Sequence, residues 1–133
     1  MLKIHTIGGY NEVGKNMTVV ETDDDAFIFD CGFHIPAVMQ LSEKERKNST
    51  NELLKIGAIP DDRFLDKMGL RNKVRAIIPS HAHLDHIGGI PYLAHKYNAD
   101  IISTPFTLEV MKRIYEDEKL EYKNKLRYLQ PNS

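Results

Sequence analysis

The feature that most restricts how this chain can fold is a junction between two unlike segments. Val74-Arg75-Ala76-Ile77-Ile78 is a nearly continuous apolar run, the pattern of a strand buried on both faces. Three positions later the chain reads His81-Ala82-His83-Leu84-Asp85-His86. A strand covered on both faces lies inside a sheet. The histidine cluster is therefore placed in the turn leaving that sheet, where α/β folds gather functional groups.

Imidazole and carboxylate together suit zinc, with manganese also compatible with such donors. In an extended or loosely turned loop, residues two apart project to the same side. His81 and His83 are thus expected to hold one ion, with Asp85 and His86 facing a second. A two-metal site stabilises both oxygens of a displacement and draws the pKa of a bridging water toward neutrality. Asp85 can hydrogen-bond that water as well as ligate, which makes it the catalytic candidate. The bland alternative is a set of surface or capping histidines, and the density and placement of the cluster weigh against it.

The rest of the chain supplies a scaffold of matching type. Residues 2–7, 17–21 and 26–29 read as strands, the last two joined by the acidic turn Asp23-Asp24-Asp25. From Phe33 to about Asn48 the pattern becomes polar and reads as a surface excursion. Ser49 or Thr50 is expected to cap a short helix ending at Gly57, and Pro60-Asp61-Asp62 to open another that ends at Gly69. After the cluster, Ile87–Tyr97 reads as a helix and Ile101–Ser103 as a strand. A helix over 106–119 and a strand over 126–129 follow. The expected class is α/β (α+β): a mixed sheet with helices packed on one face. The chain stops just after beginning a strand, so residues 1–133 are expected to be a portion of something longer.

Composition bounds the setting. With 133 residues, 41% hydrophobic and 28% charged, the chain has one domain's worth of core material. Its net charge of −1 gives no electrostatic argument for a polyanion partner. Cys31 is the only cysteine, which rules out an intramolecular disulfide and fits a reducing, cytoplasmic location. No segment approaches the roughly 20 apolar residues that span a bilayer, so no membrane partner is expected.

His81-Ala82-His83-Leu84-Asp85-His86-Ile87-Gly88-Gly89 resembles the signature motif of the metallo-β-lactamase superfamily, and Phe29-Asp30-Cys31-Gly32 resembles its first motif. Gly8-Gly9-Tyr10-Asn11-Glu12-Val13-Gly14-Lys15-Asn16 is similar to the start of the β-CASP ribonucleases. Gly57–Asp62 and Ser103-Thr104-Pro105 are most like archaeal members of the ribonuclease J family. The resemblance implies an αββα sandwich with two zinc ions that hydrolyses RNA phosphodiesters. Ribonuclease J members degrade RNA from the 5′ end, and relatives cut internally. It further implies that His81 and His83 ligate the first metal and Asp85 and His86 the second, with Asp30 orienting the ligand loop by hydrogen bonds. The family completes its site with two more histidines and a bridging aspartate. These, and the β-CASP domain that clamps RNA, are expected beyond residue 133, and the isolated chain is expected to be inactive or nearly so.

Other signals are weaker. Glu12 and Asn16 either line the substrate rim or serve a glycine-punctuated turn. Cys31 reads as a small buried residue. Lys112, Arg113, Lys119, Lys123, Lys125 and Arg127 are interleaved with acidic residues, which describes a solvated face rather than a nucleic-acid stripe. Two rival functions stay open: a small-molecule metallo-hydrolase of the same fold, such as a thioesterase, and a non-catalytic metal-binding or interaction module. Exposed sheet edges also make a homo-oligomer an expectation.

Overall fold

The structure is a computed structural model describing residues 1–42 and 50–131. Six strands form one sheet in chain order: β1 (Lys3–Gly8), β2 (Met17–Glu21), β3 (Ala26–Phe29), β4 (Val74–Ile78), β5 (Asp100–Ser103) and β6 (Leu126–Tyr128). β1, β2 and β3 pair antiparallel, and β3 through β6 pair parallel, so the sheet is mixed as expected. Among the described residues the helices are α1 (Ile35–Met39), α2 (Thr50–Lys55), α3 (Arg63–Lys67), α4 (Leu84–Ile87), α5 (Ile90–Leu93) and α6 (Pro105–Asp117). Short 3-10 turns occupy Arg71–Lys73 and Ala94–Lys96.

Register explains where the core lies. Val19, Ile28, Ile77, Ile101 and Leu126 are aligned across β2 to β6 and share one face of the sheet. The first four are at most 2% exposed and join Leu53, Leu65, Ile87, Ile90, Leu93, Leu108 and Met111 of the helices in one cluster. The opposite face carries Ile4, Val20, Phe27, Phe29, Ile78 and Ile102, which are half-buried or exposed. The helical layer thus covers one side only. What the described residues form is one sheet with one helical layer, half of an αββα arrangement.

Three expectations need correction. The segment after Phe33 is not a polar excursion at its start. Phe33 and Val38 are 5% and 6% exposed and join the core, Val38 from α1 and Phe33 from the segment just before it. α1 is little more than one turn, too short for its apolar residues to establish a period against the charged stretch that follows. Residues 43–49, including Ser49, lie outside those described. Thr50 is itself the first residue of α2, and its hydroxyl donates to the Tyr92 carbonyl at 3.3 Å.

The helix expected over 87–97 is instead three short pieces beginning earlier, at Leu84. Gly88 and Gly89 interrupt it, and both are needed for close packing. A Cβ on Gly88 would lie 2.3 Å from the Phe33 ring, and one on Gly89 would lie 3.1 Å from the Cys31 carbonyl. Nor is β4 covered throughout, since Arg75 projects to solvent and pairs with Asp25 at 2.7 Å.

One buried polar group braces the helical layer. Asp62 is 2% exposed, and its carboxylate accepts from the Tyr97 hydroxyl at 2.7 Å and from Lys96 Nζ at 3.1 Å. Burial and the Asp62 charge push the Tyr97 phenol far above its ordinary range. Asp62→Ala should cost about 3 kcal/mol, because it strands a part-buried ammonium and a buried hydroxyl. Urea unfolding measures this, and a loss below 1 kcal/mol would deny the bracing role.

Candidate metal centre

The cluster sits where the sheet's central strands end. β3 ends at Phe29 and β4 at Ile78, neighbours in parallel register, so the turns that follow them emerge side by side. Asp30 takes a left-handed backbone, φ 66°, that turns its carboxylate toward the turn after β4. Aspartate tolerates that region better than most side chains.

The Asp30 carboxylate is fully engaged. Oδ1 accepts the Ser80 main-chain N–H at 2.7 Å, and Oδ2 accepts the Ser80 hydroxyl at 2.9 Å. His86 Nδ1 lies 2.8 Å from Oδ2, so Nδ1 carries the proton and Nε2 presents its lone pair. His81 Nδ1 lies 2.9 Å from Ser80 Oγ. Because that hydroxyl already donates to Asp30, it accepts from His81, which again leaves Nε2 free. One carboxylate and one hydroxyl therefore set both imidazoles in the tautomer a metal requires.

His81, Asp85 and His86 each offer a ligand atom within 4.8 Å of the others. His86 Nε2 and Asp85 Oδ2 are 3.6 Å apart, against the about 3.4 Å that tetrahedral zinc imposes at its usual bond lengths. The donors fit a divalent ion of the zinc type. His83 is exposed and lies outside this trio, with its ring 4.7 Å from that of His81. The His81 and His86 rings are closer, at 3.9 Å. The local backbone differs from a uniformly extended loop: Asp85 and His86 lie in α4, and His83 is its N-cap.

The ligand loop is held from below by the segment after β3. Cys31 N–H donates to the His86 carbonyl at 2.8 Å, and Phe33 N–H donates to the Leu84 carbonyl at 2.9 Å. Asn16 reaches the same loop, its Nδ2 donating to the Asp85 carbonyl at 2.9 Å. Glu12 instead closes its own turn. Its Oε1 accepts the Gly9 N–H at 3.2 Å and lies 3.7 Å from Lys15 Nζ.

The remaining histidines stand apart from the trio. His5 pairs with Glu21 at 3.0 Å, and His34 Nδ1 lies 3.1 Å from the Val13 carbonyl. Burial, then the Lys96 and Lys123 charges, holds His95 below the usual imidazole range. Cys31 is buried, as its apolar neighbours suggested, and desolvation pushes its thiol well up. Ser80 escaped the reading of the sequence; its adjacency to His81 at the end of an apolar run was the only signal.

Gly32 makes the closest contact of all. A Cβ there would lie 1.6 Å from the Asp85 carbonyl oxygen and 2.7 Å from the His86 nitrogen, both main-chain atoms that cannot swing aside. Gly32→Ala should lower stability by about 3 kcal/mol or more and abolish zinc binding. Calorimetry with zinc beside urea unfolding reads both, and unaltered affinity would show that the loop yields freely.

Comparison with known proteins identifies the family. The family model for the metallo-beta-lactamase superfamily matches residues 10–131. Ribonuclease J of Methanocaldococcus jannaschii is 43% identical over 127 residues, covering 94% of this chain and 28% of that protein. Ribonuclease J of Pyrococcus abyssi is 45% identical over 130 residues, covering 95% and 28%. The chain thus spans little more than a quarter of these relatives' length. Among solved structures, a Cronobacter sakazakii metallo-beta-lactamase HARLDQ motif mutant, S60, aligns with TM-score 0.60 at 20% identity, over 98% of this chain and 44% of its own. Human tRNase Z, short form, aligns with TM-score 0.54 at 17% identity, over 95% and 42%. These structural likenesses speak for the fold, and the family match extends from the loop after β1 through β6. The chain belongs to the metallo-β-lactamase superfamily.

Proposed function

We propose that this chain is the N-terminal portion of a metal-dependent ribonuclease of the ribonuclease J type, hydrolysing RNA phosphodiesters from the 5′ end. The observation that carries the reading is the 43–45% identity to two archaeal ribonucleases J along nearly the whole chain. It coincides with a donor set in which both imidazoles present Nε2. A β-CASP domain and the ligands still missing belong, in this reading, to polypeptide beyond residue 133, and the isolated chain has little activity. Zinc is the preferred ion, with manganese as a substitute; the protein works in the cytoplasm, and RNA is its partner. Two copies pairing exposed sheet edges would give a homo-oligomer.

Within this portion, His81 and His83 serve one ion, and Asp85 and His86 serve a second. Divalent ions held there supply charge stabilisation at the phosphoryl oxygens and lower the pKa of water. The residues do the rest. Asp85 projects a half-buried carboxylate beside His86 and takes up the proton of the attacking water. Asp30 and Ser80 prevent either imidazole from rotating or changing tautomer.

A chimera tests this directly, with the chain replacing the matching part of the Pyrococcus abyssi relative. With zinc or manganese it should shorten 5′-monophosphorylated RNA to mononucleotides, and Asp85→Ala should slow it at least about 100-fold. A metal-loaded chimera that cleaves thioesters but not RNA would replace the substrate class.

A further inference from the structure

Asn16 lies where the glycine-rich turn after β1 meets β2, and every polar contact it makes there is to the ligand segment or its support. Its main-chain N–H and its Nδ2 both reach the Asp85 carbonyl, at 3.2 and 2.9 Å. Its own carbonyl accepts the Gly32 N–H at 3.1 Å. Nδ2 also lies 3.4 Å from His86 Nε2, the nitrogen left with a free lone pair by the Asp30 contact. A turn needing only closure would be satisfied by the main-chain bonds. The side chain spans two adjacent ligand residues instead.

We propose that Asn16 is a positioning residue for the Asp85–His86 ligand pair, and this rests on the metal-centre reading above. A primary amide suits the task because it has two hydrogens and no charge. One hydrogen holds the Asp85 carbonyl and fixes the first turn of α4. The second lies a long 3.4 Å from His86 Nε2 and would give way to a cation there, so Asn16 acts on the ligand pair through the Asp85 carbonyl. A lysine at this position would place a positive charge where the cation belongs. An aspartate would set a carboxylate against the Asp85 carbonyl.

The turn preceding Asn16 is shaped to seat it. Gly9 has φ 86°, and a Cβ there would lie 2.3 Å from Asn16 Oδ1, so only glycine leaves room for the amide. Gly14, at φ 102°, packs its Cα against the Phe33 carbonyl, and a Cβ would approach that oxygen to 2.7 Å. Lys15 N–H donates to the same carbonyl at 2.7 Å. The turn is thereby clamped to the 31–33 segment that also supports the ligands, and Asn16 is the side chain it delivers.

The test compares the full chain with Asn16→Ala and Asn16→Ser, both of which keep the main-chain bonds and lose the reach of the amide. Zinc affinity is measured by calorimetry, the coordination geometry by the visible spectrum of the cobalt-substituted protein, and stability by thermal unfolding without metal. The expected result is a zinc dissociation constant raised about 10- to 100-fold with an altered cobalt spectrum, while the metal-free melting temperature changes little. Should the alanine variant fail to fold, the serine variant decides. Variants that bind zinc within about twofold of the parent would overturn the role of Asn16 and leave the metal centre standing. A melting temperature that falls with affinity and spectrum intact would assign Asn16 to the fold alone. A folded parent chain that binds no zinc would show that residues 81–86 form no metal centre within this chain, and would overturn the proposal with it.

Discussion

The Asp30 carboxylate is the group on which the geometry of the ligand turns depends. It receives the main chain and hydroxyl of Ser80 and the imidazole of His86, so it fastens the end of β3 to the turn after β4. Charge-assisted hydrogen bonds of this kind are roughly twice as strong as neutral ones. Their geometry matters as much as their strength. If Asp30 were lost, Ser80 would be free to rotate and both histidines free to exchange tautomers. The left-handed backbone at Asp30 is the local cost of aiming the carboxylate across the strand ends.

Around that hub the ligand segment is supported by main-chain contacts on one side and by Asn16 on another. Cys31 and Phe33 hydrogen-bond to His86 and Leu84 through the backbone, which makes residues 31–33 a rigid shelf. Gly32 presses its Cα against the Asp85 carbonyl, and Gly88 lets the Phe33 ring approach α4. Tight packing of this type transmits small displacements directly. The metal-ligand geometry and the local core are therefore one mechanical unit.

Much of this was legible in the sequence, and the failures have physical causes. All six strands were located by alternation or by apolar runs, and the glycine stops at Gly57 and Gly69 adopt the positive φ those stops require. The cluster at 81–86 was visible because its residue types are rare and dense. Its local shape was not, because Leu84 begins a helical turn that only the shelf beneath it selects. The broken helix after it escaped notice because Gly88 and Gly89 read as flexible spacers until Phe33 and Cys31 are seen against them. α1 was hidden because a five-residue helix with one buried residue, Val38, gives too short a signal to establish a period. Ser80 was marked only by its adjacency to His81, and its role exists only once Asp30 is folded across from it.

The order of strands in the sheet is the order of strands in the chain. Each new strand lands beside its predecessor, so no strand must thread between two already in place. Such a sheet can grow from one edge as the polypeptide leaves the ribosome, β1 to β3 as a meander and the parallel strands afterwards. Asp30 would be waiting at the growing edge when β4 arrived with Ser80, and the histidines would be set as they emerged. The turns that carry Asp30, Ser80 and His86 can thus take their mutual geometry as soon as β4 has joined β3.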